Sequence, residues 1–405
     1  MKHDSIPVLS IFVLIFGAVV LLQSTQAQKT NGCFWDRDTL AYEASGFPGI
    51  TEIITGRFDR FPPLYYEMRL ERVAREIDSD PDNLDLYDDA GVASDRLGRH
   101  DEAIEWMARK REALDRVAST GVDVDEDQYR YLANLGTMHI HRWLSGGANL
   151  DDMRDVKRSH DLIAAAIELN PDAHFGRERY QLLAIKWILD GFPHDAEGVW
   201  HQPSIVEAME GTGTEWGRNA FTKLGYDDAV EGFSGLIALG NAWESVDIFY
   251  ALAMSLHDQE HTSLYLLCQT RIVELVKDGK RSLSPNFTYD GSYENYLGSD
   301  VFASINDSYA NKISDSYFPK ARKEAEGWVQ RRNKYALERL NRGKHPDTHA
   351  SFWADWSETT SPPKMPGRSS LLVLPTVAIV VLLVIVILGI KTLIFVVKRL
   401  SPKPA

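Results

Sequence analysis

The sequence predicts an all-α fold, and three observations support that prediction. Apolar residues recur at three- and four-residue spacing, which is the period of a helix with one buried face. Gly, Pro and Asp residues interrupt these segments at short intervals, as they do where helices end. Near the end of the chain, residues 371–390 form a run of twenty without a charge, about the length of a helix that spans a bilayer.

Residues 1–27 are predicted to be a signal peptide or an N-terminal anchor. Lys2 precedes an apolar run over residues 8–22, and Thr-Gln-Ala at 25–27 resembles a small-residue cleavage site. The run is long for a cleaved signal, so both interpretations stay open. In either case the chain that follows is expected to cross the membrane.

Residues 84–115 have the pattern of two short helices joined by a tight turn, and residues 28–83 before them are expected to cap the fold. Gly98 suits the left-handed residue that follows a helix end. The small or apolar residues on the inner faces are Tyr87, Ala90, Gly91 and Ser94 in the first helix and Ala103, Ile104, Met107 and Leu114 in the second. Each helix therefore has one face suited to packing.

This spacing resembles the tetratricopeptide repeat (TPR), a helical hairpin of about 34 residues whose small side chains let the paired helices approach closely. With Leu84 at repeat position 1, the matches are Tyr87 at 4, Ala90 at 7, Gly91 at 8, Gly98 at 15 and Ala103 at 20. The departures are Lys110 at position 27, where the family usually has Ala, and Asp115 at position 32, where it usually has Pro. The resemblance implies a TPR-like solenoid of helical hairpins.

A second hairpin continues the resemblance. Leu135 and Gly136 match repeat positions 7 and 8, and Ala166 and Pro171 match positions 27 and 32, after an insertion at residues 145–158. Helical pairs of similar shape follow, so the repeat domain is predicted to cover residues 84–277. The second helix of this second hairpin is expected at residues 159–170.

The chain changes character after residue 277. Residues 278–342 combine an irregular Tyr-rich segment at 284–312 with a long charged helix at 315–342. Residues 343–370, rich in Pro and Ser toward their end, are predicted to be a linker. A transmembrane helix at 371–390 and a basic tail at 391–405 then complete the chain.

Basic residues favour the cytoplasmic side of a membrane, so the tail is expected inside and the folded domain outside. This predicts a bacterial inner (plasma) membrane protein with a single C-terminal span and a periplasmic domain. The formal net charge is −14, which argues against nucleic acid as a partner because phosphate binding needs a basic surface. The two cysteines, Cys33 and Cys268, exclude a disulfide framework and leave a single bridge open.

One motif suggests catalysis. His257, Glu260 and His261 have the His-x-x-Glu-His form of inverted zinc peptidases, in which both histidines bind zinc from one helical face. Here polar residues 257–262 separate two apolar helices, so the motif is interpreted as a hairpin turn, with a zinc hydrolase as the alternative. We otherwise predict no cofactor, no catalytic residue and no enzymatic activity.

The repeat resemblance implies a binding groove. In this family the first helix of each hairpin lines a concave surface through positions 2, 5, 9, 12 and 13. The corresponding residues are Asp85, Asp88, Val92, Asp95 and Arg96 in the first repeat and Arg130, Ala133, Thr137, Ile140 and His141 in the second, with Asn134 beside them. Three acids in one groove favour a basic or amine-bearing ligand.

The sequence therefore predicts a membrane-tethered scaffold that binds a protein or peptide outside the cytoplasm through this groove. A small-molecule receptor that uses the Tyr-rich segment is the second alternative.

Overall fold

The structure is a computed structural model that describes residues 48–171, 177–192, 220–285 and 307–367, together with Arg37 and Ile205. The predicted signal or anchor, Cys33, most of the Tyr-rich segment, and the predicted membrane helix and tail lie outside the described residues. Within the described ranges there is no strand, and no helix is both long and apolar enough to cross a bilayer.

The prediction of an all-α fold is confirmed. The described helices are α1 (Ile50–Thr55), α2 (Pro63–Ser79), α3 (Leu84–Arg96), α4 (His100–Ala118), α5 (Asp125–Ser145), α6 (Arg154–Leu169), α7 (Arg177–Leu189), α8 (Ala220–Lys223), α9 (Ala229–Ala238), a 3₁₀ turn (Ala242–Glu244), α10 (Val246–Asp258), α11 (Thr262–Lys277), α12 (Asp307–Asn311), a π turn (Lys312–Tyr317) and α13 (Phe318–Leu340).

Local sequence explains several helix ends. Pro63 is the first residue of α2, where its missing N–H has no helical partner to lose. Gly98 follows α3 with a left-handed φ of 74°, as predicted. Ser245 caps α10, because its side-chain oxygen accepts a hydrogen bond from the Ile248 amide at 3.2 Å.

Two boundaries differ from the prediction. Helix α6 begins at Arg154, five residues earlier than expected, so the insertion in the second hairpin is confined to residues 146–153. The long charged helix begins as the π turn at Lys312 before it continues as α13.

Successive helices pack against one another along the chain. Helices α2 to α7 form a continuous series of neighbours, and α7, α9, α10 and α11 extend it. Two glycines allow close approach: a Cβ at Gly91 would lie 2.7 Å from Cε of Met107, and one at Gly136 would lie 2.8 Å from the Ile163 side chain. A larger residue at this predicted repeat position, which is position 8 in both hairpins, would therefore displace the neighbouring side chains.

Helix α13 joins the two ends of this series. It contacts α1 and α2 at the beginning of the chain, while α11 packs against α1 and the π turn. Tyr65 of α2 shares a buried cluster with Ala336 and Leu340 of α13 and with Phe352. The first and last described helices therefore close on each other.

Residues 343–367, which we call the C-terminal strap, return along α13. His345 Nε2 donates to the Tyr65 carbonyl at 3.0 Å, and Phe352 is only 2% exposed. The Tyr317 and Tyr309 hydroxyls donate to the carbonyls of Pro363 and Pro366 at 3.1 and 3.0 Å. The sequence predicted a linker here, whereas the strap is bound to the helices as far as residue 366.

Candidate functional site

Most of the predicted groove residues lie in the interior. Those at most 2% exposed are Asp88, Val92, Asp95, Ala133, Asn134 and Thr137, and Ile140 is 7% exposed. Arg96, Arg130 and His141 are partly exposed, and the side chain of Asp85 is 69% exposed. The residues that could meet a ligand in the predicted groove are therefore Asp85, Arg96, Arg130 and His141.

A buried ion pair accounts for the position of Asp88. Lys110 Nζ donates to Asp88 Oδ2 at 2.5 Å, and Asn134 Nδ2 donates to Oδ1 at 2.9 Å. Burial raises the pKa of Asp88 to about 6, because desolvation of the carboxylate outweighs the opposing effects of Lys110 and Asn134. Lys110, which departs from the predicted repeat pattern at position 27, is thus paired with Asp88 at predicted position 5.

Asp85, Asp88 and Asp127 bring carboxylate oxygens within 4.8 Å of one another. The Lys110 ammonium lies 3.8 Å from Asp127 as well as 2.5 Å from Asp88, and Arg130 Nη1 lies 3.0 Å from Asp85. Each of these three carboxylates therefore has a cation of the protein within 4.0 Å, and we interpret the group as a structural charge cluster.

His100 and His141 share the carboxylate of Asp95. Nδ1 of each ring lies 2.9 Å from a different Asp95 oxygen. Burial alone would raise the pKa of Asp95, but the charges and hydrogen bonds of the two histidines lower it to about 2. The hydrogen bond to Asp95 in turn raises the pKa of His100.

The chain itself contacts the end of the predicted groove. His141 Nε2 lies 3.2 Å from the Gly240 carbonyl, and Arg96 Nη2 donates to the Leu239 carbonyl at 2.5 Å. Arg96 and His141 occupy repeat position 13 of the two hairpins. Both side chains therefore bind the backbone between α9 and the 3₁₀ turn.

The His-x-x-Glu-His motif lies across a helix end. His257 is in the last turn of α10, Glu260 has a left-handed φ of 61°, and His261 precedes the first residue of α11. The His257 ring packs on Tyr265, with centroids 5.2 Å apart. The two histidines do not share a helical face, and the motif's three side chains do not bring their ligand atoms within 4.8 Å of one another.

Cys268 and Tyr309 are both committed to packing. The Cys268 thiol donates to the Phe249 carbonyl at 3.1 Å, and burial raises its pKa well above the usual value. Tyr309, from the predicted Tyr-rich segment, lies 2.5 Å from the Ser263 hydroxyl and anchors the strap.

A cavity of 760 Å³ lies where the α1–α2 connection, α13 and the strap meet, and we call it the junction cavity. Its aromatic wall residues are Phe58, Phe61, Tyr65, Trp328, Trp353 and Trp356. Its charged wall residues are Arg37, Glu52, Arg57, Asp59, Arg332, Asp347 and Glu358. The volume is within the range of ligand-binding pockets, and the wall has more charged groups than such pockets usually have.

A buried carboxylate forms one wall of the junction cavity. Arg69 Nη2 and Arg72 Nη2 donate to Asp347 at 2.7 and 2.6 Å, and Arg69 is fully buried. Burial would raise the pKa of Asp347, but hydrogen bonds from His345 and Arg69 and the Arg69 charge hold it well below its usual range. This network fixes the strap to α2.

The opposite wall combines arginines with indoles. Arg332 pairs with Asp59, and its Cζ lies 3.8 Å from the ring centroid of Trp353. Arg57 Nη2 and Trp328 Nε1 both donate to Glu358 at 2.8 Å. Each of these guanidiniums therefore has both a carboxylate and an aromatic neighbour, so its charge is compensated locally.

Comparison with protein-family models, with curated proteins and with solved structures finds no match to this chain. Function is therefore inferred from the chemistry of the site alone.

Sequence reasoning missed the junction cavity. Arg57 and Glu358 face each other across 301 residues of sequence, so no local pattern connects them. The usable signal was composition: RFDRFPP at residues 57–63 and SFWADW at 351–356 concentrate aromatic and charged residues in segments assigned to a cap and a linker. Exposed connections seldom carry so many large aromatic side chains.

Proposed function

We propose that this chain is a binding protein that takes a peptide segment of a partner into the junction cavity. The observation that carries the proposal is the cavity itself, in which aromatic rings and charged groups of both signs converge from three distant parts of the chain. A peptide offers apolar side chains to the aromatic wall and amide and carbonyl groups to the arginines and carboxylates.

The charged residues of the cavity wall indicate which net charge the bound peptide should have. Arg37 pairs with Asp89, Arg57 with Glu358, and Arg332 with Asp59. Glu52 is the lining carboxylate for which the described part of the chain provides no ion-pair partner. A neutral or singly basic peptide segment therefore suits the cavity better than an acidic one.

The predicted concave groove supports binding less well than the cavity does. Its acidic residues Asp88 and Asp95 are buried and paired, and Arg96 and His141 are engaged by the chain's own backbone. The basic ligand expected from three exposed acids would meet Asp85 alone. We therefore assign the ligand to the junction cavity.

The proposal retains a TPR-like solenoid, a C-terminal anchor at residues 371–390 and a periplasmic domain. The charge-free run and the basic residues after it support the anchor. The strap supports a close tether, because Tyr309 binds the carbonyl of Pro366 shortly before that run begins. A partner in the same membrane would then lie within reach of the cavity.

Site-specific photo-crosslinking of the full-length protein in its own membrane tests this proposal. A photoreactive residue replaces Trp356 in the cavity wall, Asp85 on the predicted groove or Val122, which is 55% exposed in the α4–α5 connection. We expect one discrete protein adduct from position 356 and none from positions 85 and 122.

Two outcomes contradict the proposal. An adduct from position 85 without one from 356 would return binding to the groove. Equal labelling from all three positions would show that no surface is selective.

A further inference from the structure

Three arginines surround Trp243 at the seam where the α1–α2 connection, the 3₁₀ turn, α11 and α13 meet. The guanidinium carbons of Arg271, Arg60 and Arg322 lie 3.9, 4.8 and 5.3 Å from the Trp243 ring centroid. An indole ring has two faces, so three guanidiniums cannot each stack on a face of their own. Cation–π stacking therefore does not by itself account for all three.

This seam has fewer paired carboxylates than guanidinium groups. Glu274 pairs with both Arg271 and Arg322, whose Nε lies 3.0 Å from Glu274 Oε2. Arg60 has no carboxylate within 4.0 Å in the described ranges, and Glu244, a more distant acid, pairs with Lys280. Glu274 is thus paired with two of the three guanidiniums, and Glu326 and Glu244 act on the third, Arg60, only at longer range.

The environment of Arg60 is unfavourable for a cation. Burial and the neighbouring charges of Arg322 and Arg271 lower the pKa of Arg60 to about 10. Its Nη2 donates to the Gly56 carbonyl at 3.1 Å, which uses one of its five N–H groups. A counter-charge next to Arg60 would relieve this repulsion.

One buried hydrogen-bond donor at the seam also has no acceptor among the described groups. Arg271 is 3% exposed, and its buried Nε has no hydrogen-bond partner among the described groups, although Nη2 donates to the Trp243 carbonyl at 3.1 Å. Arg322 Nη1 donates to the Thr55 carbonyl at 2.7 Å, and its Nε donates to Glu274. Buried donors are rarely left unsatisfied in folded proteins, so a missing acceptor is indicated.

We propose that this seam binds an oxyanion, a phosphate, sulfate or carboxylate group, with Arg60 and Arg322 as its main ligands. The guanidinium fork donates two parallel hydrogen bonds to such groups, and it remains charged at neutral pH. Arg271 adds positive charge to the site, and its buried Nε, which has no partner among the described groups, provides a further donor.

The oxyanion site adjoins the junction cavity but shares none of its lining residues, since Arg60, Arg271 and Arg322 do not line the cavity. Phe58 lies in the cavity wall and meets Trp243 edge to face, with centroids 5.4 Å apart. A bound oxyanion would also stabilise the closure of the fold, since its ligands come from the α1–α2 connection and from α13.

Thermal unfolding of the purified full-length protein in detergent tests the proposal. Inorganic phosphate is titrated against chloride at pH 7 and constant ionic strength, and we expect a saturable rise of the unfolding temperature in phosphate alone. Arg60→Gln should weaken the apparent phosphate affinity at least tenfold. In chloride the same variant should unfold at the wild-type temperature or above, because it removes a like charge.

The matched control is Arg75→Gln on α2, whose arginine is exposed and pairs with Glu71. The control should keep the full response to phosphate. The proposal is overturned if wild type shows no saturable response to phosphate, sulfate, acetate or anionic vesicles, if Arg60→Gln keeps the response, or if Arg75→Gln loses it equally.

Further titrations identify the source of the oxyanion. Sulfate and acetate compare the anion classes, and vesicles of anionic lipid test a headgroup. A saturable response to vesicles that Arg60→Gln abolishes, with none to free phosphate, would assign the site to a lipid headgroup. A response to free phosphate that vesicles do not reproduce would assign it to a soluble ligand.

Discussion

Lys110 departs from the predicted repeat pattern, and its buried charge is compensated by an ion pair with Asp88. Lys110 is fully buried on α4, and its ammonium contacts an Asp88 carboxylate whose other oxygen accepts from Asn134. Removing two charges from water costs several kcal/mol for each ion, and this cost is offset only by close pairing and full hydrogen bonding. Neither partner can be removed without leaving a buried charge.

We expect Lys110→Ala to lower the free energy of unfolding by about 3–5 kcal/mol, although the resemblance to the repeat family predicted Ala at this position. The variant leaves the Asp88 carboxylate buried without its ammonium. Asp88→Asn/Lys110→Ala should recover part of the loss, because a neutral amide still accepts from Asn134. Urea denaturation at pH 7, followed by circular dichroism, measures both effects.

Arg111→Ala is the control for this comparison, since Arg111 is the next residue on α4 and its side chain is half exposed. A loss from Lys110→Ala no greater than that from Arg111→Ala would contradict the structural role of the pair.

The small residues of the hairpins were predictable from sequence, whereas the ion pair was not. Gly91 and Gly136 fall at a repeat position whose small size has a direct packing reason, and the structure places Met107 and Ile163 side chains against them. In the sequence, Lys110 was recognisable only as a departure from the repeat pattern at position 27. Its pairing depends on the register between α3 and α4 and on an amide from α5, which no spacing rule specifies.

Among the elements, amphipathic helices were predicted well and the strap was not. Periodicity located α3 and α4 closely because each buries one face against a sequential neighbour. The strap contains no regular period and many Pro and polar residues, so its composition indicated a linker. It is ordered by contacts such as Arg69 to Asp347, which are 278 residues apart.

Asp347→Asn should release the strap from α2. At pH 7 the variant removes the buried carboxylate that Arg69 and Arg72 both bind, so we expect a loss of about 3–5 kcal/mol in unfolding free energy. Limited proteolysis should then cut within residues 343–367, where wild type resists.

The pH dependence of this loss has a definite sign. The pKa of Asp347 is depressed in the folded protein, so its contribution is present above the unfolded pKa of about 3.9 and is lost as pH falls further. The difference between wild type and Asp347→Asn should therefore shrink as pH falls from 5 toward 2. Asp355→Asn, an 83% exposed site on the same strap, should show no such trend; a constant difference for Asp347→Asn would contradict the assignment.

For the whole molecule, the order of the helices was predictable but their closure was not. Each predicted hairpin packs locally, whereas closure depends on pairs such as Arg332 and Asp59, 273 residues apart. The junction cavity and the oxyanion site both lie along this closure. Their residues are far apart in the sequence, so local patterns could not predict either site. The groove residues were predicted from local spacing, and packing against neighbouring helices buries most of them.

Closure has a consequence for cooperativity. In an open array of repeats each unit contacts only its neighbours, so a local loss of stability stays local. Here Leu340 is 2% exposed in the last turn of α13 and packs in the cluster that joins α13, α2 and the strap. Leu340→Ala should cost about 2–5 kcal/mol. If closure makes the domain one cooperative unit, this cost should appear equally in distant helices.

Native-state hydrogen exchange measures that coupling helix by helix. We expect Leu340→Ala to lower the opening free energy of α5 and α6 by the same amount as that of α13. Leu169→Ala, at a half-exposed site at the end of α6, should leave the protection pattern unchanged. Protection lost only in α2, α13 and the strap would instead indicate an open array. Because the junction cavity is built at this closure, a ligand that binds only the closed state would then stabilise α5 and α6 as much as its own wall.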